Sequence, residues 1–200
     1  MPITVTTKPS ILPVTVEMVK KHTNVDITED DELIEQYIKV ATSYGQNITG
    51  RMFVAASFEL DIDSFPTGKI KLLPSLQSVE SVKYTDGEGD EVILSLDEYK
   101  VKKTHLVGYI EPVLNWPSDA QDILVCFTSG WPTIDGEGDE EPVSTTPDDI
   151  RGWIMVRVAG MYEQRENFIT SNGSSVTAMP ADFIDNILSC WVVPGIGAGV

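Results

Sequence analysis

The sequence predicts an α+β fold, in which a helical core from the two ends of the chain carries an inserted antiparallel β unit. Apolar residues recur at spacings of three and four in 14–51 and again in 146–191. Residues 52–131 instead hold short alternating runs of apolar and polar residues between turn residues. At 200 residues with 42% hydrophobic content, the chain is long enough to form a core without disulfides or metal.

The N-terminal part predicts an arm and two helices. Residues 1–13 are rich in Thr and Pro and form an extended arm, which we expect to order only against a neighbour. A short helix is predicted over Val14–Asn24 with Thr15 as its N-cap. A longer helix should begin at the N-cap Thr28 and end at Gly50, because glycine readily adopts the left-handed conformation that closes a helix.

The middle of the chain predicts strands separated by Gly, Pro, Asp or Asn. The strand-like runs cover residues 53–63, 69–73, 78–84, 91–96, 99–102, 107–110 and 123–128. The following stretch, 132–145, is acidic and lacks a period, which indicates a loop.

The C-terminal part predicts two further helices and a tail. Thr146 as N-cap and Pro147 at the first helical position begin a helix that runs to Tyr162. A short helix follows over Ala181–Trp191. The Gly-rich segment 192–200 is a flexible tail, since it has no apolar period of its own.

The charge balance limits the classes of function. The chain has 14 Lys and Arg against 31 Asp and Glu, a net charge of −17. Such a surface is unsuited to wrapping nucleic acid but suits a conduit through which DNA slides without sticking. We expect Cys126 and Cys190 to be buried free thiols in a reducing compartment. No stretch has the length and apolarity of a signal peptide or a membrane span, so we expect no membrane contact.

An acidic hexapeptide, Asp-Gly-Glu-Gly-Asp-Glu, occurs at 86–91 and again at 135–140. Its alternating carboxylates resemble the start of a calcium loop, but the sixth position is Glu where a calcium loop has Gly. A solvated turn is the favoured interpretation, with a hairpin at the first copy. The weak metal candidates are Asp86, Glu88, Asp90, Asp135, Glu137 and Asp139. They support an alternative function, a calcium- or ligand-binding accessory domain.

Catalytic arrangements are absent from the sequence. His22 and His105 are the only imidazoles, and neither has Cys, Asp or Glu at a metal-binding spacing. No nucleophile elbow, phosphate-binding loop or dinucleotide fingerprint occurs. The sequence therefore predicts a protein that is not an enzyme and that needs no cofactor.

Basic residues cluster once, at Lys100, Lys102 and Lys103. Strand alternation places Lys100 and Lys102 on the same face. Two interpretations stay open, an edge strand protected by lysine and a contact to DNA phosphates.

Several separated segments resemble one family, the phage head–tail connector (adaptor, or head-completion) proteins that dock under the portal ring. The resemblance runs in order over roughly residues 14–190. It is carried by Thr49-Gly50-Arg51, the segment Leu73–Tyr84, Trp116-Pro117, Phe127–Trp131, Pro147–Ile150 and Tyr162–Glu166.

The resemblance implies a structural protein of the virion, assembled in the host cytoplasm and located at the head–tail interface. It implies a ring of about twelve copies that docks on the portal, extends the DNA channel and provides a platform for tail attachment. Partners would be the portal protein and head-closure, stopper or tail proteins of the neck, and DNA would pass without sequence recognition. Another ring of the same neck is an alternative position.

The same resemblance implies candidate contact residues. Family members commonly engage the portal through their C-terminal segment, here Val192, Val193, Pro194, Gly195, Ile196, Gly197, Ala198, Gly199 and Val200. Lys100, Lys102 and Lys103 are the candidates for contacts to DNA in the channel.

Overall fold

The structure is a computed structural model that describes residues 2–104, 106–135, 142–164 and 184–193. The chain divides into two compact units. The β unit comprises residues 1–11 and 51–142, and the helical unit comprises residues 12–50 and 143–200. Helices and antiparallel sheets both occur, which confirms the predicted α+β class. Within the described ranges, no helix has the length and apolarity needed to cross a bilayer.

The helical unit is built from segments on both sides of the β unit in sequence. Its elements are α1 (Val16–Thr23), α2 (Asp31–Thr49), a short strand at Val143–Ser144, α3 (Asp148–Glu163) and a 3₁₀ helix (Asn186–Trp191). The predicted N-cap of α1 is confirmed, since the Thr15 hydroxyl accepts a hydrogen bond from the Met18 N–H at 3.2 Å. Gly50 ends α2 at φ 67°, also as predicted.

Two helix starts differ from the sequence prediction. Helix α2 has Asp30 at its N-cap position, and Thr28 contributes its main-chain carbonyl, which accepts from the Asp31 N–H at 3.2 Å. Helix α3 has Pro147 at its N-cap position, one residue later than predicted. Thr146 is buried instead, and its hydroxyl shares a 2.7 Å hydrogen bond with that of Ser144.

The end of the helical unit differs as well. Within the predicted helix 181–191, residues 184 and 185 are α-helical and Asn186–Trp191 form a 3₁₀ helix, while residues 181–183 lie outside the described residues. A 3₁₀ helix turns every three residues, so it buries a different set of positions from an α-helix. Leu188 is buried, whereas Cys190 is exposed and Cys126 is half-buried. The prediction of two buried thiols is therefore wrong for Cys190.

The β unit contains nine strands in the described residues. They are β1 (Ile3–Thr7), β2 (Ala56–Ile62), β3 (Ile70–Leu72), β4 (Leu76–Thr85), β5 (Glu91–Ile93), β6 (Tyr99–Lys103), β7 (Gly108–Pro112), β8 (Gln121–Ser129) and β9 (Thr133–Ile134). One antiparallel sheet has the order β1-β2-β8-β4-β5, and the other has the order β3-β7-β6. Strands β2 to β8 correspond to the seven predicted runs.

The core of the β unit follows from strand alternation. Every second residue is buried from Ala56 to Leu60 in β2 and from Ile123 to Ser129 in β8, and Phe58 and Phe127 stack at 5.4 Å between ring centroids. Residues of β3, β6 and β7 join the same hydrophobic cluster, including Ile70, Tyr99 and Ile110. The inner faces of both sheets therefore share one core.

The N-terminal arm is part of the β unit. Strand β1 pairs antiparallel with β2, with Ile3 opposite Leu60, and a register shift falls between Val5 and Thr7. All five β1 residues are exposed, so main-chain hydrogen bonds hold the strand in place. The expectation that the arm orders only against a neighbour was wrong, because the exposed edge of β2 offers the same hydrogen-bonding groups within the chain.

Candidate interaction surfaces

Three separated segments of the β unit form a hydrogen-bonded polar corner, made of Arg51, Ser75, Gln77, Ser129 and Gly130. The Gly130 N–H donates to the Ser75 carbonyl at 3.0 Å. The Gln77 amide nitrogen donates to the Gly130 carbonyl at 2.8 Å and to the Ser75 carbonyl at 3.1 Å. Ser75 itself has a positive φ of 62°. The corner thus joins three segments that carry the family resemblance.

Gly130 is required by its surroundings. Its φ is 111°, a conformation that L side chains rarely adopt, and an added Cβ would lie 2.4 Å from the Val54 carbonyl oxygen. The neighbouring Ser129 hydroxyl donates to the Pro74 carbonyl at 2.6 Å. The Ser-Gly pair of the resemblance is explained by backbone packing.

The Thr-Gly-Arg segment is structural as well. The Thr49 hydroxyl donates to the Gly45 carbonyl at 2.8 Å in the last turn of α2, which Gly50 ends. Arg51 is only 3% exposed, and its guanidinium donates to the Ser75 hydroxyl at 3.3 Å. A buried guanidinium needs such partners, so this arginine belongs to the polar corner and is inaccessible to a ligand.

A basic surface covers the outward face of the three-stranded sheet, and we call it the lysine face. It consists of Lys69, Lys71, Lys100 and Lys102 around Tyr109 and Glu111. Strand register places Lys71 and Lys102 on either side of Tyr109, and Lys100 opposite Glu111. The Lys69 ammonium lies 4.3 Å from the Tyr109 ring centroid. All four lysines are exposed.

The structure separates the three lysines proposed from the sequence. Lys100 and Lys102 share the lysine face, whereas Lys103 donates to the Gln77 carbonyl at the opposite side of β6. Strand β6 lies at the edge of its sheet. Lys71 on β3 and the preceding Lys69 were missed because they lie more than 25 positions earlier in the sequence.

The first acidic hexapeptide forms the turn between β4 and β5, as predicted. The Asp86 carboxylate accepts from the Asp90 N–H at 3.0 Å and the Glu88 N–H at 2.9 Å. These backbone hydrogen bonds, that of Asp90 first, lower the pKa of Asp86 below its usual value. Asp119 lies beside the turn, since a Cβ on Gly87 would be 3.4 Å from its carboxylate. We call residues 86–91 the acidic turn.

The remaining metal candidates have not been brought together. Among the described residues, no three His, Cys, Asp or Glu side chains are placed to hold one metal ion. Asp135 is exposed, and Glu137 and Asp139 lie outside the described residues. His22 is exposed, and His105 lies outside the described residues.

The helical unit contains an aromatic and ionic cluster that the sequence did not reveal. The Tyr44 and Trp153 rings stack at 6.1 Å, and the Arg157 guanidinium lies 5.6 and 5.5 Å from their centroids. Asp185 pairs with Arg157 and accepts from the Trp153 ring N–H at 3.1 Å. A groove of about 610 Å³ between α2 and α3 adjoins this cluster. The residues of the aromatic and ionic cluster come from three distant segments, so no spacing in the sequence indicates the cluster.

The start of the C-terminal candidate segment is anchored. Val193 is buried, and its N–H donates to the Thr49 carbonyl at 3.0 Å. Val192 is half-buried. Residues 194–200 lie outside the described residues, so the candidate contacts from Pro194 to Val200 stay a prediction.

Comparison with protein families finds a match to the phage gp6-like head-tail connector protein family over residues 13–85. The match covers the helices α1 and α2 and the strands β2 to β4, including the first two resemblance segments. It confirms the predicted resemblance to head–tail connectors. The matching family is one of connector proteins and not of enzymes, in agreement with the absence of a catalytic arrangement from the sequence. A search of curated proteins finds no match.

Solved structures share the fold of the whole chain. A chain in the structure "Neck of empty GTA particle computed with C6 symmetry" is 16% identical, with a TM-score of 0.75 over 100% of this chain and 99% of that chain. A chain in "Virion of native gene transfer agent (GTA) particle" gives the same values. A chain in "Neck of native GTA particle computed with C12 symmetry" has a TM-score of 0.73 at 16% identity and the same coverage.

Proposed function

We propose that this chain, whose residues 13–85 match the phage gp6-like head–tail connector family, is a structural connector at the head–tail interface of a phage-like particle. The family match carries the proposal. The fold supports it, because a chain from the neck and a chain from the virion of gene transfer agent particles each align with the whole chain at a TM-score of 0.75. The function is therefore assembly through protein–protein contacts, without catalysis.

The proposed assembly is a ring of about twelve copies. A similar chain comes from a neck computed with C12 symmetry. A closed ring of identical chains uses head-to-tail interfaces, in which each copy presents two different surfaces to its neighbours. Such a ring would dock on the portal, continue the DNA channel and give the tail a platform.

Of the predicted segment Val192–Val200, the proposed portal contact is residues 194–200, since Val193 is buried in the helical unit. Val193 fixes where this segment leaves the helical unit, through its burial and its hydrogen bond to Thr49. The residues that follow are Gly-rich with two large apolar side chains, Ile196 and Val200. A short chain end of this kind binds by inserting into a groove of a partner.

DNA would pass through the ring without sequence recognition. The net charge of −17 gives the chain a surface that repels phosphate, which limits tight binding during passage. Phosphate contacts, where they occur, are sequence-independent.

The location is tested by quantitative mass spectrometry of purified particles. The copy number of this chain is compared with those of the portal protein and the major tail protein. A copy number equal to that of the portal supports the connector ring. Absence from particles, or a copy number equal to that of the tail tube, would contradict it.

The portal contact is tested by truncation. Deletion of residues 194–200 should abolish co-purification with the portal protein, while the truncated chain keeps its thermal stability. A second variant replaces these residues by seven Gly and Ser residues, which keeps the length but removes Ile196 and Val200. It should lose portal binding as well. Portal binding by either variant would remove this segment from the proposal.

The alternative of a calcium-responsive domain stays a prediction with less support. The Asp86 carboxylate already accepts two main-chain hydrogen bonds within its own turn, which gives it a structural role without a cation. Isothermal titration with calcium and melting with and without calcium test the alternative. No heat and an unchanged melting temperature would remove it.

A further inference from the structure

Positive charge is concentrated on the lysine face. Lys69, Lys71, Lys100 and Lys102 are four of the 14 Lys and Arg residues, and Glu111 is the one acidic residue among them. The rest of the chain then carries ten basic and 30 acidic residues, a net charge of −20. The lysine face therefore stands out as a positive region in a strongly negative chain.

The sheet fixes the arrangement of these charges. Lys71 and Lys102 occupy the positions flanking Tyr109 on the neighbouring strands, two strand spacings or about 10 Å apart at the backbone. The Lys102 ammonium and the Glu111 carboxylate are 4.0 Å apart and remain substantially exposed, so this pair neutralises the face only in part. The lysine face keeps an excess of positive charge that is available to a partner.

We propose that the lysine face of one copy binds an acidic surface of the next copy in the ring. The inference rests on the proposed function, because it assumes that copies assemble head-to-tail. Copies with a net charge of −17 repel one another, so a contact at which opposite charges meet favours assembly. A head-to-tail interface joins two different surfaces, which allows a positive face to meet a negative one.

The structure offers an acidic surface with suitable chemistry. The acidic turn exposes Glu88 and Asp90, and the exposed Asp119 lies beside it. The hydrogen bonds to Asp86 hold the turn in one conformation, which lowers the entropy that docking would cost. The acidic turn of one copy is therefore the segment that binds the lysine face of its neighbour.

A second copy fits the lysine face better than duplex DNA does. Glu111 lies among the lysines and would repel phosphate, whereas on a protein partner it can accept a hydrogen bond. Tyr109 adds an aromatic ring at the centre of the face, a residue type enriched in protein interfaces. The net charge of −20 outside the face repels DNA and attracts the lysines of another copy.

Zero-length cross-linking tests the contact directly. Chains labelled with ¹⁴N and ¹⁵N are mixed at high concentration and treated with a carbodiimide, which joins lysines to carboxylates in contact. We expect heavy-to-light cross-links from Lys71 and Lys102 to residues 86–91 or Asp119, at about tenfold the frequency of those from the exposed Lys8 and Lys21. They should disappear at 1 M salt. Absent cross-links, or cross-links spread evenly over all exposed lysines, would overturn the proposal.

Charge reversal at two lysines of the lysine face is compared with charge reversal at two exposed lysines elsewhere, which is the matched control. Lys71→Glu with Lys102→Glu should lower heavy-to-light cross-linking at Lys69 and Lys100 about tenfold. Lys8→Glu with Lys21→Glu changes the net charge equally and should leave it unchanged. Glu88→Lys with Asp90→Lys in a second chain should restore cross-linking to the lysine-face variant. Equal losses from both lysine pairs, or no restoration, would contradict the proposed contact.

Duplex DNA is the competing partner and is measured in parallel. Fluorescence anisotropy with a labelled duplex of arbitrary sequence compares the unchanged chain with both lysine variants. If only the lysine-face variant loses DNA binding, while its heavy-to-light cross-links persist, the face contacts DNA and the proposal is wrong. The copy-number measurement is independent of this outcome. A chain at portal stoichiometry without the cross-links removes this inference alone.

Discussion

The polar corner and the lysine face are both rich in polar side chains. They differ in whether these side chains bind groups of their own β unit or are exposed to solvent. In the polar corner, Arg51, Gln77 and Ser129 bind main-chain or hydroxyl groups of their own β unit. In the lysine face, Lys71 and Lys100 are exposed on the outer side of a sheet. The corner stabilises the fold, and the face is available to a partner.

The difference shows what the resemblance segments encode. The three segments that meet in the corner are fixed by backbone geometry, since each residue has a specific hydrogen bond or φ angle to satisfy. The lysine face needs only charge at exposed strand positions, which many sequences can supply. Recognisable segments therefore indicate the fold, while the proposed contact surfaces lack a segment of their own.

The largest expected effect is at Gly130. The substitution Gly130→Ala places a Cβ 2.4 Å from the Val54 carbonyl oxygen at a φ of 111°, so we expect a loss of about 3 kcal/mol in the free energy of unfolding. Denaturant unfolding measures it. Gly68→Ala is the control, because Gly68 has open space and an ordinary φ, and should be near neutral. Equal effects at both positions would contradict the packing argument.

A smaller loss is expected at Gln77. Gln77→Ala removes two hydrogen bonds to the Ser75 and Gly130 carbonyls and should lower the free energy of unfolding by about 1–2 kcal/mol. The control Gln121→Ala truncates an exposed glutamine on β8 and should change it by less than about 0.5 kcal/mol. If the two variants unfold alike in denaturant, the polar corner contributes no stability.

A pH-dependent effect on stability is expected from Tyr99, the first residue of β6. Tyr99 is 4% exposed, and burial raises the pKa of its phenol above the usual value of 10.0. The unfolded chain ionises first, so this stability is present below pH 10 and is lost as the pH rises through the higher folded-state pKa. Between pH 8 and pH 11, Tyr99→Phe should lose less thermal stability than the unchanged chain. An identical loss would rule out a contribution from Tyr99.

The smallest effect on stability is expected from the lysine face. Lys71→Glu with Lys102→Glu should change the free energy of unfolding by less than about 0.5 kcal/mol, because exposed side chains contribute little to folding. Denaturant unfolding of this variant should match that of Lys8→Glu with Lys21→Glu. A loss comparable to that of Gln77→Ala would show that the face is part of the fold's own stabilisation.

The local elements were largely predictable from the sequence. Thr15 and Gly50 mark helix ends because the chemistry of a cap depends on residues within one turn. The alternation in β2 and β8 predicts which residues are buried, since neighbouring strand residues point to opposite faces. The acidic turn was predictable for the same reason, because its hydrogen bonds span five consecutive residues.

What depends on distant residues was not predictable. The pairing of β1 with β2, the polar corner, and the pairing of Asp185 with Arg157 each join segments far apart in sequence. No spacing rule links such segments, because strand register and packing bring them together. The exposure of Cys190 was mispredicted for a different reason, since residues 186–191 form a 3₁₀ helix and not the predicted α-helix.

The sequence by itself determined the α+β class, the alternation of helical and strand segments, and the resemblance to connectors, because these depend on local periods and contiguous segments. Only the tertiary structure decided that Lys71 on β3 lies on the same face as Lys100 and Lys102 on β6, with Tyr109 on the middle strand β7. The physical reason is register. A shift of one residue would move each of these side chains to the opposite face of the sheet.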